Sequence, residues 1–215
     1  MAADKSSIEK DLAKQELGKA QASETEGLVS AKPESANGWR KLLAENLRLV
    51  TIALAIALSV RFFIAEPRYI PSPSMVPTLA VGDRLLVEKV SYRVRSPKRG
   101  EIVVFEPPPQ LQSYGYSSQQ AFIKRVVGLP GQTVQVTAGQ VLIDGKPLKE
   151  PYIFEMPLYE MQPVKVPDNS LFMMGDNRND SNDSHVWGFL PAENAIGRAV
   201  FRFWPLEKIG RIDQI

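Results

Sequence analysis

Apolar side chains crowd one stretch of the chain, Leu47 to Ala65 (LRLVTIALAIALSVRFFIA), with Arg48, Thr51, Ser59 and Arg61 as its polar breaks. Its length approaches the ~20 residues with which a helix spans a bilayer. Thr51 and Ser59 are small enough to bond back into the helix, Arg61 lies near enough to one end to snorkel, and Glu66-Pro67 stops the helix. Beyond it the apolar runs shorten to strand length: 83–94 (DRLLVEKVSYRV), 100–106, 121–131, 133–136, 141–148, 170–176 and 198–205. Asp144-Gly145 marks a tight hairpin. The stretch 107–120 (PPPQLQSYGYSSQQ) has no periodicity and reads as a loop, and prolines at 151, 157, 163 and 167 break up a connection. No amphipathic helix and no phosphate-binding glycine loop stand out. The pattern predicts a mainly β protein, with antiparallel sheets in a barrel-like body, preceded by one transmembrane helix.

Charge divides the chain further. Residues 1–38 set Lys5, Lys10, Lys14, Lys19 and Lys32 against seven acids, with few large apolar side chains. They read as a disordered tail, since a transit peptide would be Arg-rich and acid-poor. The organisation expected is tail 1–38, anchor with basic flank 39–65, and β-rich domain 66–215. Arg40, Lys41 and Arg48 precede the span while Arg61 and Arg68 follow it, which favours a cytoplasmic tail and an external body.

Over all 215 residues, 26 Lys+Arg stand against 24 Asp+Glu, too even a balance for a nucleic-acid surface. With no Cys and only His185, the chain cannot build a His/Cys zinc site, an iron–sulfur cluster, a thiol nucleophile or a disulfide framework. A Ser–His–Asp triad would have to use His185. Asp183, two residues away, would stand beside the ring on a strand rather than behind it, leaving Asp176 or Asp180 as the other carboxylates. The alternative base is a lysine activated by burial.

Three segments carry candidate chemistry. In Ile70-Pro71-Ser72-Pro73-Ser74-Met75-Val76-Pro77-Thr78-Leu79, prolines fix the backbone around two serines, and the apolar density argues against a linker. In 121–128 (AFIKRVVG), a strand would point Phe122, Lys124 and Val126 one way and Ile123, Arg125 and Val127 the other. At least one cation then sits among apolar neighbours, and a desolvated ammonium gives up its proton more readily. In 175–188 (GDNRNDSNDSHVWG), short polar groups between glycines make a self-bonded loop. Calcium fits it poorly, because Arg178 occupies a ligand position and the sixth position lacks Gly.

Together these segments resemble the type I signal peptidases: Ser-Met-Val-Pro-Thr-Leu at 74–79, Lys-Arg-Val-Val-Gly-Leu-Pro-Gly at 124–131 and Gly-Asp-Asn-Arg-Asn-Asp-Ser at 175–181 match that family's motifs in order. The resemblance implies a membrane-bound serine–lysine endopeptidase that removes signal peptides with small residues before the cut, without metal or cofactor. It implies an inner-membrane location in contact with the lipid bilayer, with the catalytic domain on the periplasmic or lumenal side. Ser74 matches the nucleophile and Lys124 the general base. Ser72 matches an oxyanion-hole hydroxyl and Ser181 a serine that hydrogen-bonds the lysine amine. Asp176, Arg178 and Asp183 match structural members of the loop. His185 stands where many bacterial members carry Arg, which puts in doubt an ion pair from Asp183 to that position. The compact stretch after the lysine implies a small hairpin cap. The rival of another class is a membrane-anchored β-domain that only binds exported or envelope proteins. A self-cleaving serine–lysine regulator would need a DNA-binding domain in place of the anchor.

Overall fold

The computed structural model describes residues 35–212, with side chains from Gly38 onward. All but the last four residues of the expected tail therefore lie outside the described residues. The chain divides into two compact units, and the boundary falls inside the first helix, after Ala53.

Helix α1 runs Ser35–Phe63, and its Gly38–Phe63 portion is long and apolar enough to cross a membrane, with its side chains exposed. Thr51 Oγ1 donates to the Leu47 carbonyl at 2.8 Å and Ser59 Oγ to Ala55 at 2.7 Å, as the helical reading of those residues requires. The helix ends two residues earlier than the apolar run. A residue preceding proline avoids the helical region, so the chain approaching Pro67 goes extended and forms strand β1, Ala65–Tyr69.

The rest is mainly β. Strands β2 (Arg84–Glu88), β3 (Ile102–Phe105), β4 (Phe122–Gly128), β9 (Ser170–Met174), β10 (Leu190–Pro191), β11 (Ala195–Trp204) and β12 (Gly210–Arg211) join β1 in an eight-stranded sheet. Its order is β1-β2-β11-β3-β4-β9-β10, with β12 on β11, and every pairing is antiparallel. The sheet forms a half-barrel rather than a closed one. A second sheet, ordered β7-β6-β5-β8, is built from β5 (Thr133–Thr137), β6 (Gln140–Ile143), β7 (Lys146–Pro147) and β8 (Met161–Lys165). It is the expected hairpin widened by a strand on either side.

Three strands escape the sequence pattern for one reason: β1 contains Pro67, β8 Pro163 and β10 Pro191, and all are edge strands, where a missing N–H costs no ladder bond. The run 83–94 is not one strand. Glu88 turns its carboxylate onto the Ser91 amide (2.7 Å) and hydroxyl (2.6 Å), and a 3₁₀ turn follows at Ser91–Arg93. The stretch expected as a loop holds a five-residue helix, α2, at Pro109–Ser113.

Strand β4 organises the core. Phe122 and Val126 join a cluster with Val103, Phe105, Leu171 and Trp187, while Ile123 packs with Met75, Leu79 and Ile102. Val127 joins Val134, Val141 and Phe172, which seals the two sheets together. The alternation read from the sequence is thus the one observed.

Candidate active site

The segment that carries Ser74 is fixed from below by its apolar residues. Met75 and Leu79 are fully buried, and Pro73 opens a 3₁₀ turn, Pro73–Met75, closed by Val76 N–H donating to the Pro73 carbonyl at 3.0 Å. Ser74 itself is buried at 6% exposure, and its Oγ lies 3.2 Å from that of Ser72. The amide of Ser74 finds no acceptor among the described residues.

Lys124 comes from β4, paired opposite Val103, and is 4% exposed. Its Nζ lies 2.6 Å from Ser74 Oγ in a hydrogen bond. Among the described residues no carboxylate comes within 4 Å of that amine. Burial pushes the lysine down to about 8, and the more distant Asp183, Asp176 and Asp180 partly oppose the shift. At pH 7 roughly one molecule in ten then holds a free base, where an unperturbed lysine would leave about one in 10³.

Both cations of Lys124-Arg125 are buried, each satisfied differently. Arg125 sits on the opposite face and forks onto Asp176, with Thr78 Oγ1 donating to the same carboxylate at 2.5 Å. The Asp176 loop is sewn to the serine segment through backbone: the Asn177 amide donates to the Ser74 carbonyl at 3.1 Å, and its side-chain amide donates to the Pro73 carbonyl at 3.3 Å. Gly175 is needed here because a Cβ would run into the Ser74 carbonyl and the Ser181 side chain. Arg178, 1% exposed, donates through Nε to the Gly175 carbonyl and through both terminal nitrogens to Glu150, each at 2.6 Å.

Asp183 caps helix α3 (Ser184–Trp187) and receives the Gly175 amide at 2.8 Å through Oδ2. Its Oδ1 meets His185 Nδ1 at 2.7 Å. The contact doubted from the sequence is therefore made, because a helix N-cap, unlike a strand, folds residues 183 and 185 toward each other. The His185 ring also stacks on Tyr159, with centroids 4.2 Å apart. It is not among the partners of the Ser74 hydroxyl, which are Lys124 and Ser72.

Ser181 departs from the expectation. Its Oγ is buried against Gly175 without a hydrogen-bond partner, so it does not bond the Lys124 amine in this structure. Sequence reasoning singled out neither Thr78, Asn177 nor Glu150. A Thr in an apolar run and a Glu in an ordinary Lys-Glu-Pro stretch give no local signal, because their partners lie 98 and 28 residues away.

Ser74 and Lys124 open into a cleft of about 440 Å³ whose wall includes Ser72, Tyr116, Phe122 and Asp180. There β4 residues Phe122 to Lys124 have a ladder partner in β3 only, since pairing with β9 begins at Arg125. The arrangement supplies a hydroxyl, a desolvated amine, free donors and an open strand edge.

Comparison with known proteins agrees with the motifs. The family model "Signal peptidase, peptidase S26" matches residues 43–204. The probable signal peptidase I-1 of Synechocystis sp. is 59% identical over 174 residues, which cover 81% of this chain and 88% of that protein. Signal peptidase I of Leptolyngbya laminosa is 54% identical over 170 residues, covering 79% and 84%. A probable thylakoidal processing peptidase 2 of Arabidopsis thaliana is 47% identical over 180 residues, covering 82% of this chain and 49% of that longer protein. On the strength of a family match that takes in most of helix α1 and of the β body, and of two bacterial relatives this similar across most of their length, the chain belongs to the peptidase S26 signal peptidases.

Proposed function

We propose that this peptidase is a membrane-tethered serine–lysine endopeptidase that removes N-terminal signal peptides from exported preproteins. The single observation that carries the reading is the buried Lys124 amine, 2.6 Å from Ser74 Oγ and with no carboxylate within 4 Å among the described residues. Neutral Lys124 takes the Ser74 proton as Oγ attacks the scissile carbonyl carbon. The tetrahedral oxyanion is held by the Ser74 N–H and the Ser72 hydroxyl. The C–N bond then breaks, and Lys124 Nζ returns the proton to the departing amine. A water, deprotonated by the same lysine, attacks the acyl carbon, the C–Oγ bond breaks, and Lys124 Nζ returns that proton to Ser74 Oγ as the signal peptide leaves with its new carboxyl group.

The substrate lies extended along the free edge of Phe122–Lys124, where backbone hydrogen bonds position it without regard to side chains. The bulky walls of Tyr116 and Phe122 favour small residues before the cut. Helix α1 anchors the enzyme in an inner membrane, with the N-terminus cytoplasmic and the catalytic domain on the periplasmic or lumenal side. The two curated relatives called signal peptidase I and the thylakoidal one are compatible with either a plasma or an internal membrane.

The test is cleavage of a labelled preprotein by purified full-length enzyme. Ser74→Ala and Lys124→Ala each abolish cleavage while the protein stays folded, and Ser72→Ala, which leaves one oxyanion donor, loses about 10²–10³ in rate. Near wild-type turnover in Ser74→Ala would refute the nucleophile, and no cleavage by the wild type itself would leave only a binding domain. Orientation is read by adding protease to cells stripped of their outer envelope: the body is degraded and an epitope in residues 1–38 is protected.

A further inference from the structure

Lys124 and Arg125 leave β4 on opposite faces. Arg125 lines a second cavity of about 290 Å³, together with Arg202 of β11 and Arg211 of β12. No carboxylate is in its wall, although Thr78 and Tyr152 are. Two of the guanidiniums are held by groups outside the cavity. Arg125 spends Nε and Nη2 on Asp176 and Nη1 on the Gly100 carbonyl, while the Tyr152 ring lies 3.9 Å from its Cζ. Arg202 donates from Nη1 to Asp83 (2.7 Å) and the Thr78 carbonyl (3.3 Å), and from Nε to the Lys208 carbonyl (3.0 Å). Its Nη2 has no partner among the described residues, and neither does any nitrogen of Arg211.

We propose that this cavity is an anion site for a phosphate-class oxyanion, received by the whole fork of Arg211 and the free Nη2 of Arg202. Asp176 and Asp83 offset Arg125 and Arg202 from outside the cavity, which leaves Arg211 as its uncompensated cation among the described residues, and guanidinium is the group that meets phosphate through paired, charge-assisted hydrogen bonds. The donors come from the paired strands β11 and β12. A tetrahedral oxyanion presents acceptors in more directions than a planar carboxylate, which suits an Arg211 fork joined by a separate Arg202 N–H. The volume equals roughly ten waters, enough for phosphate with a small organic substituent. Arg202 is already immobilised by three acceptors, so little side-chain freedom remains to be lost on binding. The site is separate from the catalytic cleft, but Thr78 and Arg125 in its wall are the residues that grip Asp176.

The experiment uses full-length protein in uncharged detergent, with radiolabelled inorganic phosphate titrated against chloride at constant ionic strength. Saturable binding at about 1 mM or below is expected, with a rise in Tm that chloride does not produce. Arg211→Gln weakens it at least tenfold without changing the Tm in chloride, because Arg211 is exposed and unpaired; Arg211→Lys restores part of it. Ser74→Ala binds like the wild type, so the result is independent of the proposed chemistry. A second arm adds neutral vesicles with or without phosphatidic acid. Displacement of label by the phosphatidic acid vesicles identifies a lipid headgroup as the source; displacement by glycerol phosphate alone identifies a soluble one. Three results overturn the proposal: no saturable binding, equal binding by Arg211→Gln, or binding that appears only after residues 213–215 are removed, which would assign the cavity to the chain's own end.

Discussion

Arg125 grips Asp176 through two hydrogen bonds, 2.8 Å from Nε to Oδ1 and 2.6 Å from Nη2 to Oδ2, and both side chains are fully shut off from solvent. Removing one member strands a buried charge, so Asp176→Ala is expected to cost about 3–5 kcal/mol. Replacing both by apolar residues, Arg125→Met with Asp176→Leu, costs less than the two single changes summed. Denaturant unfolding of the four proteins in detergent closes this cycle, and simple additivity would contradict the pairing.

Lys124 sets the pH dependence. In the proposed mechanism its neutral form is the working one, so kcat/KM is expected to rise with pH through about 8 rather than near the usual lysine value. The same burial makes the lysine a stability cost. The unfolded chain keeps that proton to higher pH than the folded one, so stability rises with pH between about 8 and 10.5, and the full penalty stands below 8. Lys124→Met is therefore expected to be inactive yet more heat-stable than wild type at pH 7, by up to about 3 kcal/mol. The gap narrows as pH rises from about 8 and has closed near 10.5. Melting curves across that range check it, and a pH-independent gap would contradict it.

Ser181 separates a resting structure from a working one. Because its Oγ is buried without a partner, Ser181→Ala leaves stability unchanged or slightly raised. If the hydroxyl swings to the Lys124 amine during the reaction, the same variant loses at least tenfold in kcat. Paired melting and single-turnover measurements read both quantities, and an unaltered kcat would remove Ser181 from the chemistry.

His185→Ala strips buried Asp183 of one partner and Tyr159 of its stacked ring, and is expected to cost about 1–3 kcal/mol of stability. Cleavage by the folded fraction persists. A variant that melts like wild type but is inactive would put the imidazole into the reaction.

Legibility followed the range of the interactions. Side-chain alternation is local, so 121–128 could be resolved into its two faces, and Lys124 and Arg125 do part company across β4. The rigid Pro-Ser segment was equally readable, since φ at Pro71, Pro73 and Pro77 is a property of the residue itself. What stayed hidden depends on partners far along the chain. Glu150 looks like a surface acid until Arg178 arrives from 28 residues away. Pro67 and Pro163 argue against strands until the topology makes theirs edges. The Asp183–His185 contact was misjudged because its spacing was read as a strand, where the chain in fact turns into α3.

The bond between Ser74 and Lys124 joins residues 50 positions apart, and Asn177 reaches back 104 positions to Pro73. An incomplete chain still emerging from synthesis has the hydroxyl and the amine but not the enclosure that frees the amine of its proton. Partial unfolding reverses the same step, since water reaching Lys124 restores its charge and quenches the serine. If Ser74 and Lys124 act as proposed, proteolytic power and structural integrity are thus coupled in this molecule, and a damaged copy disarms itself before it can cut its neighbours.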